Sequence, residues 1–187
     1  MKKDLNAELT VLLDVVRKLS TLNIDYMLTG SLALNYYAKP RMTRDIDIII
    51  KMLFSDINRL VKVFNDKYYI EKKSIKEALE RKSSFNIIHN TKIIKIDLLI
   101  LKKIKKQKKK YKKKKKIKIM NENINIVSKE DLIISKLYWS VDSKSEKQRQ
   151  DILNLLATGL DKKYLQKWLR ELQLIAFFKE FINARYI

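Results

Sequence analysis

Two aspartates separated by one residue, Asp45 and Asp47, are the residues of this sequence whose types and spacing best suit chemistry. They lie in a strongly β-prone run, DIDIII, and residues two apart on a strand face the same side of a sheet. Both carboxylates would therefore point the same way. Paired oxygen ligands of this kind suit Mg²⁺, so the run predicts a divalent-metal site.

A Gly-Ser pair lies upstream of these acids, and Gly30 is one of only two glycines in the 187-residue chain. Glycine lets a backbone approach a phosphate closely, and N–H groups at a helix start can bind an anion. We interpret residues 29–50 as a nucleoside-triphosphate and metal site. The alternative is that Asp45 and Asp47 are exposed acids on an edge strand and that Gly30 only forms a turn.

The order of these motifs resembles the DNA-polymerase-β-like nucleotidyltransferase superfamily, in which Gly-Ser opens a short helix and Asp-x-Asp follows on the next strand. The segment KPRMTRDIDI is more narrowly similar to the minimal nucleotidyltransferases of the AbiEii toxin group, which carry an Arg-x-Thr-x-Asp-[Ile/Leu]-Asp string. The residues that carry both resemblances are Gly30, Ser31, Arg41, Thr43, Asp45, Ile46 and Asp47. The resemblance covers about residues 24–158.

A third acid, Asp97, lies within the apolar run TKIIKIDLLIL, where it shares a strand face with Lys95. An unpaired carboxylate in such a run is costly if it is buried, so it needs a reason. The resemblance implies one, because the superfamily carries its third catalytic carboxylate on a later strand beside the Asp-x-Asp pair. The alternative is a salt bridge to a core-facing lysine.

The resemblance also implies the roles of the site residues. Asp45, Asp47 and Asp97 would be catalytic and would hold metal, with two Mg²⁺ ions expected and Mn²⁺ as a substitute. The expected nucleotide-binding residues are Gly30, Ser31, Arg41, Thr43 and Lys136. Lys136, Arg149 and Asp151 take the places of a C-terminal signature of such proteins, although Gln148 and Gln150 stand where charged residues are common.

Composition narrows the classes of protein. The chain has no cysteine, which excludes disulfides and thiolate metal sites. Charged residues interrupt the N-terminal stretch MKKDLNAELTVLLDVVRKLS too often for a signal peptide or membrane span, so a cytoplasmic location is the default. The net charge is +21, and the 13 lysines between residues 102 and 118 leave +8 on the rest.

The lysine-rich segment 102–118 predicts a mobile loop or a ribbon of extended strands, because like charges repel. Such a segment can act as an arm that binds the phosphates of nucleic acid, RNA above all, or of an anionic membrane surface. The alternative is a solvated loop without a partner, in which an AT-rich genome has accumulated lysine codons.

The periodicity predicts an α/β (α+β) fold, with a small mixed-sheet nucleotidyltransferase core over residues 1–127 and a C-terminal helical bundle over 128–187. In the core we expect a helix over 4–22, strands over 24–29 and 44–51, and a helix over 56–66. Ser31 and Ser55 are the expected N-caps of the second and third helices. A further helical turn or two is expected within 74–81.

Two β-prone runs, SFNIIHN and TKIIKIDLLIL, predict a hairpin that turns at Asn90-Thr91, with His89 as an exposed turn residue. A strand is expected over 123–127. Ser128 then opens a helix with Asp131 in a near capping box, Gly159 is the expected C-cap of the next helix, and Asp161 starts a helix over 161–172.

The sequence thus predicts an enzyme that transfers a nucleoside monophosphate from an NTP, such as ATP, to an acceptor hydroxyl on RNA (tRNA, for example) or protein. The AbiEii resemblance adds a toxin of a toxin–antitoxin module, with a cognate antitoxin as partner. The rival reading is a non-catalytic nucleic-acid-binding protein or antitoxin with a vestigial site. All three acids are present, which argues against decay.

Overall fold

The structure, a computed structural model, describes residues 5–101 and 113–183. A seven-stranded mixed sheet lies at its centre, in the order β3-β4-β5-β2-β1-β7-β6. The strands are β1 (Asp25–Thr29), β2 (Asp45–Lys51), β3 (Tyr68–Tyr69), β4 (Ser84–His89), β5 (Lys95–Ile100), β6 (Lys115–Ile119) and β7 (Glu122–Ile126). The β2–β5 and β1–β7 pairs are parallel, and the others are antiparallel.

Eight helices surround the sheet within the described residues. They are α1 (Leu5–Thr21), α2 (Gly30–Tyr37), α3 (Ile57–Phe64), α4 (Lys72–Arg81), α5 (Lys129–Ser143), α6 (Glu146–Leu156), α7 (Lys162–Glu171) and α8 (Ile175–Asn183). The α/β fold class expected from the sequence is confirmed. No helix of the described stretches is long and apolar enough to cross a membrane.

The two faces of β2 differ in chemistry, as the period-2 pattern predicts. Ile46, Ile48 and Ile50 are fully buried and belong to the apolar core. Asp45 and Asp47 alternate with them and face the other side. α1 packs on β1 and β2, while α2 follows directly from β1 and packs on the same two strands. β2 thus carries the core on one face and acids on the other.

Three of the expected helix caps are wrong. α2 begins at Gly30 with Thr29 as its N-cap, so Ser31 lies inside the helix. A short 3₁₀ turn precedes α3 and places Asp56, rather than Ser55, at its N-cap. α6 already ends at Leu156, and Gly159 lies beyond its C-cap.

Two caps of the helical segment are confirmed. The Ser128 hydroxyl accepts a hydrogen bond from the Asp131 backbone N–H, and the Asp161 carboxylate does the same for Tyr164. These residues work as caps because their short polar side chains reach the unpaired N–H groups of the first turn. α8 was not among the expected elements.

The hairpin of β4 and β5 is confirmed, with its turn over residues 90–94. His89 is the last residue of β4 and is half-buried against the Tyr68 ring, so its expected place in an exposed turn is wrong. The lysine-rich segment is described only from residue 113. There the end of the segment forms β6, which pairs antiparallel with β7, the strand expected over 123–127. Residues 102–112 lie outside the described ones.

The C-terminal helices pack on the sheet domain through α2. Both α5 and α6 contact α2, the helix that follows Gly30. Arg149 of α6 is buried and donates from Nε to the carbonyl of Phe181 at 2.7 Å and from Nη2 to that of Ile182 at 2.9 Å. This side chain therefore fastens α8 to α6. The division at residue 127 stays a prediction.

Candidate functional site

The register of β2 and β5 brings the acids together. Asp47 lies directly opposite Asp97, and Asp45 lies opposite Lys95. Neighbouring strands are about 4.8 Å apart, so side chains at paired positions on one face are close neighbours. Asp45 is exposed, while Asp47 and Asp97 are half-buried. The three predicted catalytic residues therefore share one patch of the sheet.

Gly30 lies directly against the Asp47 carboxylate. Its φ of +65° is in the left-handed region, and a Cβ at this position would lie 1.9 Å from Asp47 Oδ2. Antiparallel pairing of Thr29 with Asp47 brings the start of α2 to this place. Only glycine satisfies both the backbone angle and the contact. The Gly-Ser motif and the Asp-x-Asp motif are thus parts of one site.

The Asp47 carboxyl is in an environment that disfavours its charge. Burial raises its pKa, and the neighbouring charges of Asp97 and Asp45 raise it further. Lys136 and Lys95 lower it only in part. A site of this kind attracts a cation.

Lys95 supplies one positive charge to the patch. Its Nζ lies 2.9 Å from Asp97 Oδ2 and 3.8 Å from Asp45 Oδ1. The hydrogen bond to Asp97 raises the pKa of the Lys95 ammonium. The salt bridge considered as the alternative explanation of Asp97 is therefore present, although its lysine faces the acid patch and not the core. The sequence signal for this salt bridge was the two-residue spacing of Lys95 and Asp97 on β5, which puts both on one strand face.

The patch offers oxygen donors of the kind that a divalent metal binds. Carboxylate oxygens are the ligands that Mg²⁺ prefers. In the structure, a cationic group, the Lys95 ammonium, already lies between Asp45 and Asp97. Over residues 5–101 and 113–183, no three side chains of His, Cys, Asp or Glu converge into a ready metal cage. The carboxylates are instead linked through a lysine.

A second cluster forms around the buried carboxylate of Asp151. Arg41 donates to both of its oxygens at 2.8 Å, and Lys136 Nζ lies 2.7 Å from Oδ2. Burial alone would raise the pKa of the Asp151 carboxyl, but hydrogen bonds from Arg41 and Lys136 outweigh it and hold the pKa below its usual value. Burial lowers the pKa of the Lys136 ammonium. Asp151 thus fixes two cations in place.

The Asp151 cluster is joined to the acid patch through α2. Arg41 Nη2 donates to the Ser31 hydroxyl at 2.7 Å, next to Gly30. Asn35 holds the Arg41 backbone, since its side chain bonds both the N–H and the carbonyl of that residue. The structure therefore groups Gly30, Ser31, Arg41 and Lys136, four of the five predicted nucleotide-binding residues.

The remaining predicted positions are placed differently. The Thr43 hydroxyl donates to the Asp45 carbonyl at 3.3 Å, which puts it at the edge of the acid patch. Gln148 accepts a hydrogen bond from Lys136 at 3.1 Å, so it belongs to the Asp151 cluster despite its lack of charge. Arg149 points away, toward α8. A cavity of about 400 Å³ adjoins the cluster and is lined in part by Arg41, Asp151 and Lys147.

Comparison with known proteins gives matches in structure alone. No protein-family model matches the chain, and no curated protein has a significant sequence match to it. Among solved structures, an antigenic nucleotidyltransferase-like protein from Paracoccidioides brasiliensis superposes with a TM-score of 0.58 at 17% identity, over 95% of this chain and 93% of that one.

Two antibiotic-related structures are similar as well. The antibiotic-resistance factor ANT(2'')-Ia gives a TM-score of 0.57 at 12% identity, over 97% of this chain and 96% of that one. The lincosamide antibiotic adenylyltransferase LnuA, bound to lincomycin, gives 0.53 at 16% identity, over 79% and 94%. At such low identity the likeness establishes the fold alone. The chain has the mixed α/β fold of nucleotidyltransferases.

Proposed function

We propose that the protein is a metal-dependent nucleotidyltransferase that transfers a nucleoside monophosphate from an NTP to an acceptor hydroxyl and releases pyrophosphate. The observation that carries this proposal is the position of Asp47. It lies opposite Asp97 in register, on the same strand face as Asp45, and directly against Gly30. The fold of the structural neighbours supports it.

Asp45, Asp47 and Asp97 would hold two Mg²⁺ ions, with Mn²⁺ as a substitute. Bound there, the metal would neutralise charge on the triphosphate and favour ionisation of the attacking hydroxyl. Asp97 would also accept the proton of that hydroxyl. Because the acids stand on adjacent parallel strands of the central sheet, their spacing is fixed by the backbone register and not by loop conformation.

The triphosphate would lie along the start of α2. Gly30 permits close approach of the backbone, and Ser31, Arg41 and Lys136 supply donors. Asp151 keeps the guanidinium and the ammonium oriented before substrate arrives, since it bonds both of them. The cluster of Arg41, Lys136 and Asp151 keeps a net positive charge, as an anionic substrate requires. Thr43 would fix the backbone at the start of β2 beside these groups, through its hydrogen bond to the Asp45 carbonyl.

The acceptor we propose is RNA, because the lysine-rich segment attracts polyanions. A protein hydroxyl is the second acceptor class. The similarity to LnuA adds a small hydroxylated molecule to the compounds worth testing, since that enzyme is named for adenylyl transfer to a lincosamide.

We further propose a toxin role with a cognate antitoxin, on the similarity of Arg41, Thr43, Asp45, Ile46 and Asp47 to the AbiEii-type string. Induced expression should then arrest growth of a bacterial host. Asp47→Asn should relieve the arrest at equal protein level, and equal arrest by both forms would contradict this role.

The decisive experiment is a transfer assay. Purified chain is incubated with each labelled NTP and Mg²⁺, in the presence of total RNA, a protein extract or small hydroxylated compounds, and label transfer and pyrophosphate are measured. Asp47→Asn and Asp97→Asn should lose roughly 10²-fold or more in rate. Asp142→Asn, which removes an equal charge from an exposed position, is the control. Transfer by Asp47→Asn at the wild-type rate would refute the proposal.

A further inference from the structure

The Lys95 side chain occupies a place in the acid patch that a metal ion would also require. Its ammonium bridges Asp97 Oδ2 at 2.9 Å and Asp45 Oδ1 at 3.8 Å. The register pairs Lys95 with Asp45, and strand alternation puts Lys95 and Asp97 on one face. A single monovalent charge therefore links the two outer carboxylates of the patch.

Asp47, the third carboxylate, has no such partner. In the parts of the chain that the structure describes, no cationic side chain lies within salt-bridge distance of it. Of the three carboxylates, only Asp45 and Asp97 have an ammonium within salt-bridge distance, and both share the same one. Lys136 and Lys95 act on the Asp47 charge only from beyond salt-bridge distance and offset it only in part.

The Lys95 ammonium and a divalent ion compete for the same oxygens. Mg²⁺ binds carboxylate oxygens at about 2.1 Å and repels an ammonium bonded to the same atom. Lys95 has the freedom to leave, because its side chain is 42% exposed and its stem is long and flexible. Once displaced, the ammonium stays tethered beside the patch, within reach of an anionic ligand bound there.

We propose that Lys95 is a positioning residue that holds Asp45 and Asp97 in the metal-free protein, gives them up to the incoming divalent cation, and then contacts the triphosphate. This rests on the proposed function, since it assumes that the acid patch takes a metal and an NTP. It assigns Lys95 two successive partners. Metal affinity and nucleotide affinity should therefore respond to its loss in opposite directions.

Lys95→Met removes the charge and keeps a flexible, unbranched side chain that is one heavy atom shorter. Without the competing ammonium, Mn²⁺ should bind the nucleotide-free protein about three- to tenfold more tightly, the scale expected for the loss of one partly exposed ion pair. At saturating metal the KM for NTP should rise by a similar factor while kcat changes less. A lysine that only stabilised the strands would weaken both affinities or change neither.

The test uses the full-length chain and Mn²⁺ alone, titrated by electron paramagnetic resonance or calorimetry. Lys92→Met is the matched control, because it removes an equal charge from an exposed residue near the same hairpin. Lys95→Gln serves as a second variant, and thermal melts verify that each variant is folded. Tighter Mn²⁺ binding in both Lys95 variants, with Lys92→Met at the wild-type value, is the expected result.

Asp47→Asn separates failure of this inference from failure of the proposed function. If wild type and Asp47→Asn bind Mn²⁺ alike, the patch is not a metal site and the proposed function fails. If Asp47→Asn loses binding but Lys95→Met and Lys95→Gln bind Mn²⁺ no more tightly than wild type, the metal site stands and the role of Lys95 is refuted.

Discussion

At the scale of single residues, Gly30 and Asp47 constrain each other. The backbone of Gly30 has a positive φ and lies so close to Asp47 Oδ2 that a Cβ would overlap it. This coupling joins two motifs that are separate in the sequence. It also means that a single methyl group tests the geometry of the site.

Gly30→Ala should destabilise the fold and stop transfer. A left-handed backbone angle and a steric overlap together are expected to cost about 1–3 kcal/mol in free energy of unfolding. The matched control is Gly159→Ala, because nothing lies within 4 Å of its added Cβ. That change should be neutral or stabilise by up to about 1 kcal/mol, since it reduces the freedom of the unfolded chain. Chemical denaturation measures both, and equal effects would contradict the assigned geometry.

The acid patch should also carry a cost in stability. Asp47 is half-buried beside two like charges, so replacing it with the isosteric, neutral Asn should stabilise the metal-free fold by roughly 0.5–2 kcal/mol at neutral pH. Asp45→Asn, at an exposed position, should have a smaller effect. The melting temperature with EDTA measures this. Excess Mg²⁺ should reduce the difference, and an Asp47→Asn protein less stable than wild type would argue against repulsion in the patch.

At the scale of elements, Asp151 connects parts of the chain that are far apart in sequence. Its carboxylate, on α6, bonds Lys136 on α5 and Arg41 in the connection between α2 and β2. Arg41 in turn reaches Ser31 on α2. Loss of this one side chain should therefore loosen the C-terminal helices and also release the two cations proposed to bind phosphate.

Asp151→Asn should lower the free energy of unfolding by about 3 kcal/mol at neutral pH, because it leaves the buried Lys136 and the half-buried Arg41 without a charged partner. The pKa of Asp151 is lower in the folded protein than its ordinary value of 3.8, so its stabilisation is complete above that value and is lost as pH falls through the folded pKa. The difference between wild type and variant should therefore shrink below about pH 4.

Denaturation curves between pH 7 and pH 3 measure this difference. Asp142→Asn, on the exposed side of α5, is the control and should show little effect throughout. A difference for Asp151→Asn that stayed constant across this interval would mean that its carboxylate charge does not stabilise the fold.

The sequence predicted the helices and strands in which apolar residues recur at a regular spacing. Ile46, Ile48 and Ile50 alternate with polar residues, so β2 was predictable, and β5 follows the same pattern. The resemblance implied that the strand of Asp97 lies beside β2, but the register of this parallel pair was not predictable, because nothing local specifies it. The expected N-cap at Ser31 is wrong because α2 already begins at Gly30, and the Ser31 hydroxyl has a distant partner that the local sequence does not show. Its hydroxyl is engaged by Arg41, which is oriented by Asp151, 110 residues further along the chain.

Within the site, the residues that stand out by local pattern were predictable, and those defined by packing were not. Asp45 and Asp47 were recognisable from spacing, and Asp97 from an acid in an apolar strand. The role of Lys95 as their shared partner required the register, since only the pairing of β2 with β5 places it opposite Asp45. The role of Asp151 was ambiguous, because Gln148 and Gln150 stand where charged residues are common in the resembled proteins. Its burial and its contacts with two cations depend on how α6 packs against α2.

At the scale of the whole molecule, the excess positive charge is unevenly placed. Segment 102–118 holds 13 lysines, of which the structure describes the last few. Lys113 lies 3.7 Å from Asp161, and Lys114 pairs with Asp25, so these two are engaged within the fold. Lys116 and Lys118 are exposed on one face of β6, the edge strand of the sheet. A binding test should therefore spare residues 113–118, which contribute to the fold.

The last prediction asks whether the lysines act as an arm or only as net charge. Replacing Lys108, Lys109, Lys110 and Lys112 with Gln removes four charges from the segment without touching β6. Each phosphate contact steepens the slope of log K against log salt concentration by about 0.7 to 0.9. Loss of four contacts should therefore make this slope for RNA less negative by roughly 3. The matched variant replaces four exposed cations of α4, namely Lys72, Lys73, Lys76 and Arg81.

Both variants lower the net charge equally, so they differ only in where the charge is lost. If the segment is an arm, its variant alone should weaken RNA binding and flatten the slope, while nucleotide binding with Mg²⁺ is unchanged in both, because the acid patch lies on β2 and β5. Equal flattening in the two variants would mean that RNA responds to diffuse charge. The lysine run would then be explained by codon composition, and the proposed acceptor would shift from RNA toward protein or a small hydroxylated molecule.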